Sequence, residues 1–386
     1  MRYEELRTPS YIVSERKLRE NLTILQYVAE RSGAKILLAQ KAFSMFSVYP
    51  VIGQYLSGTT SSGIFEALLC REEMQNCCPT AENHVFEPAY KDDEMDEILS
   101  ICDHVYFNSL TQLERHRIKW KREAEAGKVR IAIRVNPEHS TQEGHEIYDP
   151  CSPSSRLGVR LKDMPDQLPS GVTGLHFHTL CEQGFEPLAD TWKVFEKSFG
   201  KYLTQISWIN LGGGHHITKD DYDREGLIGL ISDIRSRYGI EVYVEPGEAI
   251  ALDAGTLITE VMDIVDTPDM PTLILDASAA CHMPDVLEMP YRPPLIGSLD
   301  DDSPEGVTLR LASRTCLAGD VIGTYRLPAV PSAGDILTFG DMAIYSMVKN
   351  NTFNGMPLPD IVLQKADGDY QLIKRFGYRD FKERLS

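Results

Sequence analysis

Short apolar runs alternate with amphipathic stretches over the first two thirds of the chain. The apolar and β-branched runs predict eight strands, at residues 35–40, 59–62, 84–87, 104–107, 129–135, 172–177, 207–211 and 241–245. Between them lie stretches with helical spacing, such as Leu18, Leu22 and Leu25 before the first strand. Eight strands that alternate with helices favour an α/β fold of the (β/α)₈ TIM-barrel type, although periodicity leaves a doubly wound sheet open.

The pattern changes after about residue 255. Strand-like runs separated by proline and glycine then follow one another, at residues 272–275, 307–311 and 335–339. Such a series is typical of a β domain of barrel or sandwich type. The opening run Ser10-Tyr11-Ile12-Val13 is also strand-like. We therefore predict a barrel over residues 14–254 and a carboxyl-terminal β domain over residues 255–386, which the amino-terminal strand (1–13) joins.

Composition and charge narrow the class of protein. The formal net charge is −18, which disfavours binding to nucleic acid or anionic membranes and would attract cationic small molecules. No apolar run approaches the length of about 18 residues that spans a bilayer, and the amino terminus has no apolar segment of a secretory signal. The eight cysteines show no paired CxxC spacing, so disulfides are not expected. We expect a cytoplasmic protein.

Lys41 is the first candidate for chemistry. It ends the apolar run Ile36-Leu37-Leu38-Ala39-Gln40. Desolvation disfavours a charged lysine and lowers its pKa, which prepares an amine to form a Schiff base with an aldehyde cofactor. The alternative is a strand-end lysine whose amine reaches solvent. Three further signals follow later strands: His178, the triple glycine Gly212 to Gly214, and Glu245.

In a barrel, the carboxyl ends of the strands form one face, and all four signals would lie there. Phosphate is commonly held by the loops after strands seven and eight, where the triple glycine falls. Residues of these types suit pyridoxal phosphate chemistry. Lys41 would hold the aldehyde, and Glu245 would keep the pyridine nitrogen protonated. His178 would lie against the ring or serve as a core histidine.

Several longer motifs resemble one known family. They are KILLAQKAF, FNSL, DPCSPSSRLGV, LHFHTLCEQ, NLGGGHHIT, VEPGEA, CHMPDVLEMPYRP, TCLAGDVIG and TFNG. Together they cover nearly the whole chain and resemble the carboxynorspermidine/carboxyspermidine decarboxylases, a branch of the alanine-racemase-like, fold-type III pyridoxal phosphate enzymes. The resemblance implies decarboxylation to norspermidine or spermidine in polyamine biosynthesis.

The resemblance also implies roles for the residues of the predicted barrel. By motif, Lys41 resembles the Schiff-base lysine, His178 the ring-stacking histidine and Glu245 the partner of the pyridine nitrogen. Gly212, Gly213 and Gly214 resemble the phosphate-binding glycines.

Two further roles come from the carboxyl-terminal part of the chain. Tyr345 resembles a tyrosine that bonds the cofactor phosphate. Cys316 resembles a cysteine that reaches in from the partner subunit and protonates Cα after carbon dioxide leaves. The family therefore implies a head-to-tail homodimer with two active sites at the subunit interface.

Substrate choice is suggested by a departure from the wider superfamily. Where ornithine and diaminopimelate decarboxylases typically have arginine after Glu-Pro-Gly, this chain has Glu248. An acidic residue there favours an ammonium group over a carboxylate. Asp285, Glu288 and Asp320 could extend this acidic wall, or Glu288 and Asp320 could form surface or structural ion pairs. Leu317 stands where relatives often have aspartate, which bears on Asp320.

Other functions remain open at this stage. His176 and His178 share a strand face and could bind zinc with Cys181 or His215, as in a metal-dependent barrel hydrolase. We expect no metal, since such hydrolases need neither Lys41 nor Glu248. A non-catalytic relative would not need Lys41 either. Decarboxylases of diaminopimelate, arginine or ornithine are the nearer competitors.

Overall fold

The computed structural model describes residues 1–142 and 148–386. The chain divides into two compact units, one formed by Asn21–Ile250 and the other by Met1–Glu20 together with Ala251–Ser386. We call them the barrel unit and the sheet unit. The predicted bounds at 14–254 and 255–386 stay a prediction.

The strands in the described residues are β1 (Ser10–Ser14), β2 (Lys35–Ala39), β3 (Gly58–Ser61), β4 (Glu82–Glu87), β5 (His104–Phe107), β6 (Arg130–Asn136), β7 (Val159–Arg160), β8 (Val172–His176), β9 (Trp208–Asn210), β10 (Glu241–Val244), β11 (Gly255–Val265), β12 (Thr272–Leu275), β13 (Val307–Ser313), β14 (Val321–Leu327), β15 (Ile336–Phe339), β16 (Asp360–Gln364) and β17 (Tyr370–Lys374). The helices are α1 (Glu15–Ser32), α2 (Tyr49–Ile52), α3 (Ile64–Leu69), α4 (Gln75–Cys77), α5 (Met95–Ile101), α6 (Leu110–Arg115), α7 (Arg117–Glu125), α8 (Phe185–Leu203), α9 (Arg224–Tyr238), α10 (Glu248–Ala251), α11 (Ala279–His282), α12 (Asp285–Glu288) and α13 (Tyr378–Lys382). None of these helices has the length and apolar character that crossing a membrane requires.

The barrel unit contains a closed ring of eight parallel strands. Around the ring the order is β2, β3, β4, β5, β6, β8, β9 and β10, and β10 pairs with β2 to close it. The short strand β7 pairs with β6. All eight predicted strands are present, and the (β/α)₈ barrel is confirmed over the doubly wound alternative.

Two layers of side chains hold the barrel together. Inside the ring, Leu37, Tyr106, Trp208 and Tyr243 form a fully buried cluster. Outside it, the helices turn one apolar face inward, as the helical spacing predicts. On α9 that face is formed by Leu227, Ile228, Ile231 and Ile234. Because parallel strands share their direction, all eight carboxyl ends open on one face of the ring.

The sheet unit contains an eight-stranded sheet. Its order is β14, β13, β12, β11, β1, β16 and β17, with β15 paired to β11. Strand β1 is antiparallel to β11 and parallel to β16, so the amino-terminal strand lies within this sheet. Buried residues such as Leu257, Leu273, Leu309 and Tyr325 form its core.

Candidate active site

Four of the sequence-predicted sites lie at the carboxyl ends of barrel strands. Lys41 follows β2, His178 follows β8, Gly212 to Gly214 follow β9 and Glu245 follows β10. These strands are successive neighbours in the ring, in the order β8, β9, β10 and β2. The fold therefore brings the four sites together on one side of the barrel mouth.

The Lys41 amine is set up to react. Its side chain is exposed to solvent just beyond the carboxyl end of β2. Burial lowers the pKa of Lys41, and the Arg134 guanidinium acts in the same direction, while Glu245 and Glu66 oppose them. An amine can be reached from solvent and still be desolvated by the protein atoms around it. A larger fraction of neutral, nucleophilic amine follows.

The three glycines form a turn that no other residue fits. A Cβ on Gly212, Gly213 or Gly214 would lie less than 3.0 Å from a backbone carbonyl oxygen, which real Cβ atoms essentially never do. For Gly213 that oxygen belongs to Glu245, and the Glu245 N–H in turn donates to the Gly212 carbonyl at 2.8 Å. The turn is therefore held tightly against the loop after β10.

His178 is fixed in one tautomer by this turn. The N–H of Gly213 donates to His178 Nδ1 at 3.0 Å, so the proton of the neutral ring lies on Nε2. Burial lowers the pKa of His178 well below its ordinary value, and Lys41 and Arg134 act in the same direction. The ring is half-buried and neutral at pH 7, which suits contact with a flat aromatic group.

Glu245 is a buried carboxylate with a dedicated donor. Asn210 Nδ2 donates to Glu245 Oε1 at 2.7 Å, and His176 Nε2 lies 3.4 Å from Glu245 Oε2. Burial acts to raise the pKa of Glu245, but His176, His84 and Thr60 outweigh it and lower the pKa to about 2. Burial lowers the pKa of His176 too. We therefore describe the pair as an anionic carboxylate beside a neutral imidazole.

Arg134 is a site residue that sequence reasoning missed. It lies in β6, and its buried guanidinium stacks over the Phe86 ring, 4.4 Å from the centroid. Burial lowers its pKa to about 10, and Glu245 opposes this shift, so Arg134 stays cationic at neutral pH. The sequence feature that could have identified Arg134 is a single charged residue within the apolar run Ile131-Ala132-Ile133-Arg134-Val135. Arg134 supplies a fixed positive charge to the barrel mouth.

Glu248 begins α10 and is half-buried. His216 Nε2 lies 3.0 Å from its carboxylate oxygen Oε2. The Glu182 carboxylate completes a group whose ligand atoms lie within 4.8 Å of one another. The chain therefore places two acidic side chains and one imidazole together, which is a suitable setting for a cationic group.

The sheet unit holds the remaining predicted sites. Cys316 is exposed and paired with Asn354, whose Nδ2 donates to Cys316 Sγ at 2.9 Å while its Oδ1 accepts from the Cys316 N–H at 3.3 Å. Tyr345 is half-buried and has a left-handed backbone, with φ of 49°. That conformation is uncommon for a bulky residue and often marks a functional position.

The acidic residues of the sheet unit that were predicted to bind substrate have hydrogen-bond or ion-pair partners within the protein. Asp320 is buried, and its carboxylate accepts hydrogen bonds from Ser278 Oγ at 2.7 Å, the Ala280 N–H at 3.1 Å and Thr315 Oγ1 at 2.5 Å. These hydrogen bonds favour a structural role for Asp320, and its predicted contact with substrate stays a prediction.

Asp285 and Glu288 both bind Lys349 Nζ. Burial acts to lower the pKa of Lys349, but these two carboxylates outweigh it and raise it. One lysine shared by two carboxylates leaves a net negative charge on this group. Glu288 thus has the ion pair that was one of its two predicted roles. The charge of Asp285 is partly neutralised by Lys349, which weakens the attraction it could offer to a cationic substrate.

The zinc alternative lacks its predicted ligand set. Within residues 1–142 and 148–386, the His, Cys, Asp and Glu groups with metal-ligand spacing are Glu82–His84–His104 and Glu182–His216–Glu248. Neither group joins His176 and His178 to Cys181 or His215. Both histidines of that alternative instead lie beside Glu245 and Gly213.

The barrel mouth fits pyridoxal phosphate by the chemistry of its donors. It offers an accessible amine with a lowered pKa, a turn with space only for glycine, and a buried anion suited to a pyridinium nitrogen. Two amides of the turn, those of Gly212 and Gly213, already donate to Asn210 and His178. The turn therefore orients site side chains as well as offering backbone to an anion.

Comparison with known proteins agrees with this chemistry. Residues 11–343 match the family model described as "Pyridoxal-dependent decarboxylase, C-terminal sheet domain". A carboxynorspermidine/carboxyspermidine decarboxylase of Campylobacter jejuni is 40% identical, with 100% of both chains covered. A carboxyaminopropylagmatine decarboxylase of Synechocystis is 38% identical and covers 100% of this chain and 97% of its own.

A solved structure shows the same fold. The crystal structure of the Campylobacter jejuni carboxynorspermidine decarboxylase complexed with norspermidine superposes with a TM-score of 0.90 at 39% identity, over 98% of this chain and 100% of that one. The barrel with a separate sheet, the pyridoxal phosphate chemistry and the full-length similarity all agree. This chain belongs to the pyridoxal-dependent decarboxylases, in the branch that contains the carboxynorspermidine/carboxyspermidine decarboxylases.

Proposed function

We propose that this enzyme decarboxylates carboxynorspermidine and carboxyspermidine to norspermidine and spermidine. The observation that carries the proposal is the 40% identity over the full length of a relative with that activity in its name. The acidic group formed by Glu248, Glu182 and His216 supports it, because a polyamine substrate brings ammonium groups that need carboxylate partners. A diacid substrate would meet like charge there.

The residues of the barrel mouth have separate tasks in this proposal. Pyridoxal phosphate, when bound, supplies an electron sink for the pair left at Cα when the bond to the carboxylate breaks. Lys41 would hold the cofactor through its amine, and Glu245 would pair with the pyridine nitrogen. His178 would stack on the ring, and Gly212 to Gly214 would bind the phosphate. By its motif, Tyr345 would also bond the phosphate.

Proton delivery is the task of Cys316. After carbon dioxide leaves, its S–H proton passes to Cα, and the resulting thiolate regains a proton from solvent, which its exposure allows. Asn354 holds the thiol through its side-chain amide. The amine product would then leave the site, and Lys41 would again hold the cofactor.

A homodimer with shared sites is part of the proposal. Leu317 and Phe353 are 42% and 49% exposed, and they flank Cys316 and Asn354 in the chain. Large apolar side chains exposed beside a reactive thiol suit a subunit contact.

The cytoplasmic location of the enzyme also stays a prediction.

Decarboxylation of carboxyaminopropylagmatine is a second candidate. The Synechocystis relative named for that activity is 38% identical over the full chain, nearly as similar as the Campylobacter relative. Its substrate ends in a guanidinium group, which two carboxylates such as Glu182 and Glu248 could bind through paired hydrogen bonds. Carbon dioxide release from the three carboxylated amines, measured side by side, decides between the candidates.

Replacement of Lys41 tests the chemistry. Lys41→Ala should abolish turnover and the visible absorbance of the bound cofactor, because the covalent link is lost. Lys197→Ala, at an exposed lysine on α8, serves as the matched control and should retain both. Survival of absorbance and turnover in Lys41→Ala would refute the assignment.

Mixing two inactive variants tests the shared sites. Lys41→Ala and Cys316→Ala each remove one part of a site, and a mixed dimer contains one site with both parts intact. About a quarter of the wild-type activity should return after mixing and exchange of subunits. No recovery, together with a monomeric mass in sedimentation, would contradict the shared-site dimer.

A further inference from the structure

A continuous run of polar side chains crosses the interior of the barrel and ends at Glu245. Its members are Glu82 and His84 on β4, Tyr106 on β5 and Asn210 on β9. His84, Tyr106 and Asn210 are fully buried. We call these four residues the barrel string.

Asn210 is the member that touches Glu245. Its Nδ2 lies 2.7 Å from Glu245 Oε1 and 2.9 Å from Tyr106 Oη, so each amide hydrogen has one acceptor. Its Oδ1 accepts from the Gly212 N–H at 2.8 Å. Asn210 thereby links the carboxylate to the glycine turn, and Tyr106 must act as an acceptor toward it.

The rest of the string fixes that polarity. Burial raises the pKa of Tyr106 well above its ordinary value, so the phenol keeps its proton and donates to His84 Nδ1 at 2.6 Å. His84 Nε2 then carries hydrogen and donates to Glu82 Oε2 at 2.9 Å. Lys35 Nζ donates to Glu82 Oε1 at 2.6 Å. Every hydrogen bond from Asn210 to Glu82 thus runs in one direction.

A charged Glu82 is what selects this direction. Burial acts to raise its pKa, but His84 and Lys35 outweigh it and lower the pKa to about 2. An anion requires a donor from His84 Nε2, and in a neutral imidazole this leaves Nδ1 as the acceptor. In the opposite direction, Tyr106 Oη would receive two hydrogen bonds and its own proton would need a different acceptor.

We propose that Glu82, His84 and Tyr106 are positioning residues that hold the donor edge of Asn210 on Glu245. The string keeps Glu245 anionic and correctly oriented for a pyridinium nitrogen, without touching substrate or cofactor. The proposal rests on the proposed role of Glu245 and extends it to the opposite end of the barrel. It assigns a function to three fully buried polar residues and to the half-buried Glu82.

Tyr106→Phe removes one oxygen from the middle of the string. In the holoenzyme we expect kcat to fall about tenfold with little change in KM, and the affinity of the apoprotein for pyridoxal phosphate to fall about five- to tenfold. The pH titration of the bound cofactor's absorbance should shift, because Glu245 loses an oriented donor. Tyr202→Phe is the matched control, since it removes a buried phenol on α8 that donates to the Pro165 carbonyl, outside the string.

Asn210→Asp provides a second, nearly isosteric variant. It sets a carboxylate against Glu245, raises the pKa of Glu245 by like charge and should cost more activity than Tyr106→Phe. If both string variants matched Tyr202→Phe in cofactor affinity, kcat and absorbance titration, the string would be ordinary core structure and the inference would fall. A wild-type chain that binds no pyridoxal phosphate would instead refute the proposed function.

Discussion

Glu245 illustrates how a carboxylate stays charged inside a protein. Burial alone would protonate it, and a protonated acid could not stabilise a pyridinium ring. Asn210 supplies a short hydrogen bond, and His176 lies close to the second oxygen. His176, His84 and Thr60 together outweigh burial and keep the pKa of Glu245 low, so the buried carboxylate stays charged.

The pH dependence of stability tests this description. The pKa of Glu245 is about 2 in the folded chain, below its ordinary value of about 4.3, so ionisation stabilises the fold above pH 4.3 and this stabilisation is lost as pH falls toward 2. Glu245→Gln should destabilise the apoprotein by roughly 2–3 kcal/mol at pH 7. The difference from wild type in urea unfolding should shrink between pH 5 and pH 3, and a constant difference would contradict the assignment.

The glycine turn makes a steric prediction. Gly213→Ala places a methyl group against the Glu245 carbonyl oxygen, so the backbone must shift, at a cost of about 2–4 kcal/mol. Cofactor affinity should fall with it, as measured by titration of the apoprotein. Gly229→Ala is the control, because nothing lies within 4 Å of its Cβ position and alanine suits a helix interior. It should stabilise the chain by up to about 1 kcal/mol.

Position relative to a strand explains which site residues sequence could predict. Lys41, His178 and Glu245 stand just beyond apolar runs, where the barrel rule places chemistry. Arg134 and Asn210 lie within their strands, where a polar side chain can point to the interior or to the helices. The sequence alone does not distinguish these directions, so both residues were missed.

At the scale of elements, alternation with helices made the barrel strands predictable. Each is a short run between two longer amphipathic segments, and the predicted 104–107 and 241–245 correspond to β5 and β10. The sheet unit offers no such alternation. Strand β11 extends over 11 residues with exposed positions near its end, and β14 includes Arg326 and Gly323, so neither was predicted as a strand. Strand β11 is stabilised by pairing with β1, β12 and β15, and β14 by pairing with β13.

The start of α11 is where the structural role of Asp320 can be tested. Asp320 binds Ser278, the N-cap of α11, and the Ala280 N–H within its first turn. Asp320→Ala leaves buried donors without a partner and should cost about 2–4 kcal/mol of unfolding free energy. KM for the carboxylated triamine should change less than twofold at a temperature where the variant is folded. Asp302→Ala, in an exposed turn, is the control, and a large KM effect with normal stability would restore the substrate role.

At the scale of the whole molecule, the charge of −18 favours the proposed substrates. A polyamine is a cation at neutral pH, and a negative protein raises its local concentration and speeds its encounter with the barrel mouth. Two local groups are acidic as well. Glu182 and Glu248 lie beside a single histidine, and Asp285 and Glu288 share a single lysine. Long-range attraction and local binding therefore act in the same direction.

Screening by salt separates these two contributions. Raising ionic strength from roughly 20 mM to roughly 300 mM shortens the Debye length to a few ångströms, so kcat/KM for carboxynorspermidine should fall about three- to tenfold. The kcat should change little, because the chemical step occurs after the substrate is bound. Glu248→Gln removes a local charge, so it should raise KM at low salt and flatten the dependence on salt. A wild-type kcat/KM that is independent of salt would show that neither the net charge nor the acidic group at Glu248 recruits the substrate.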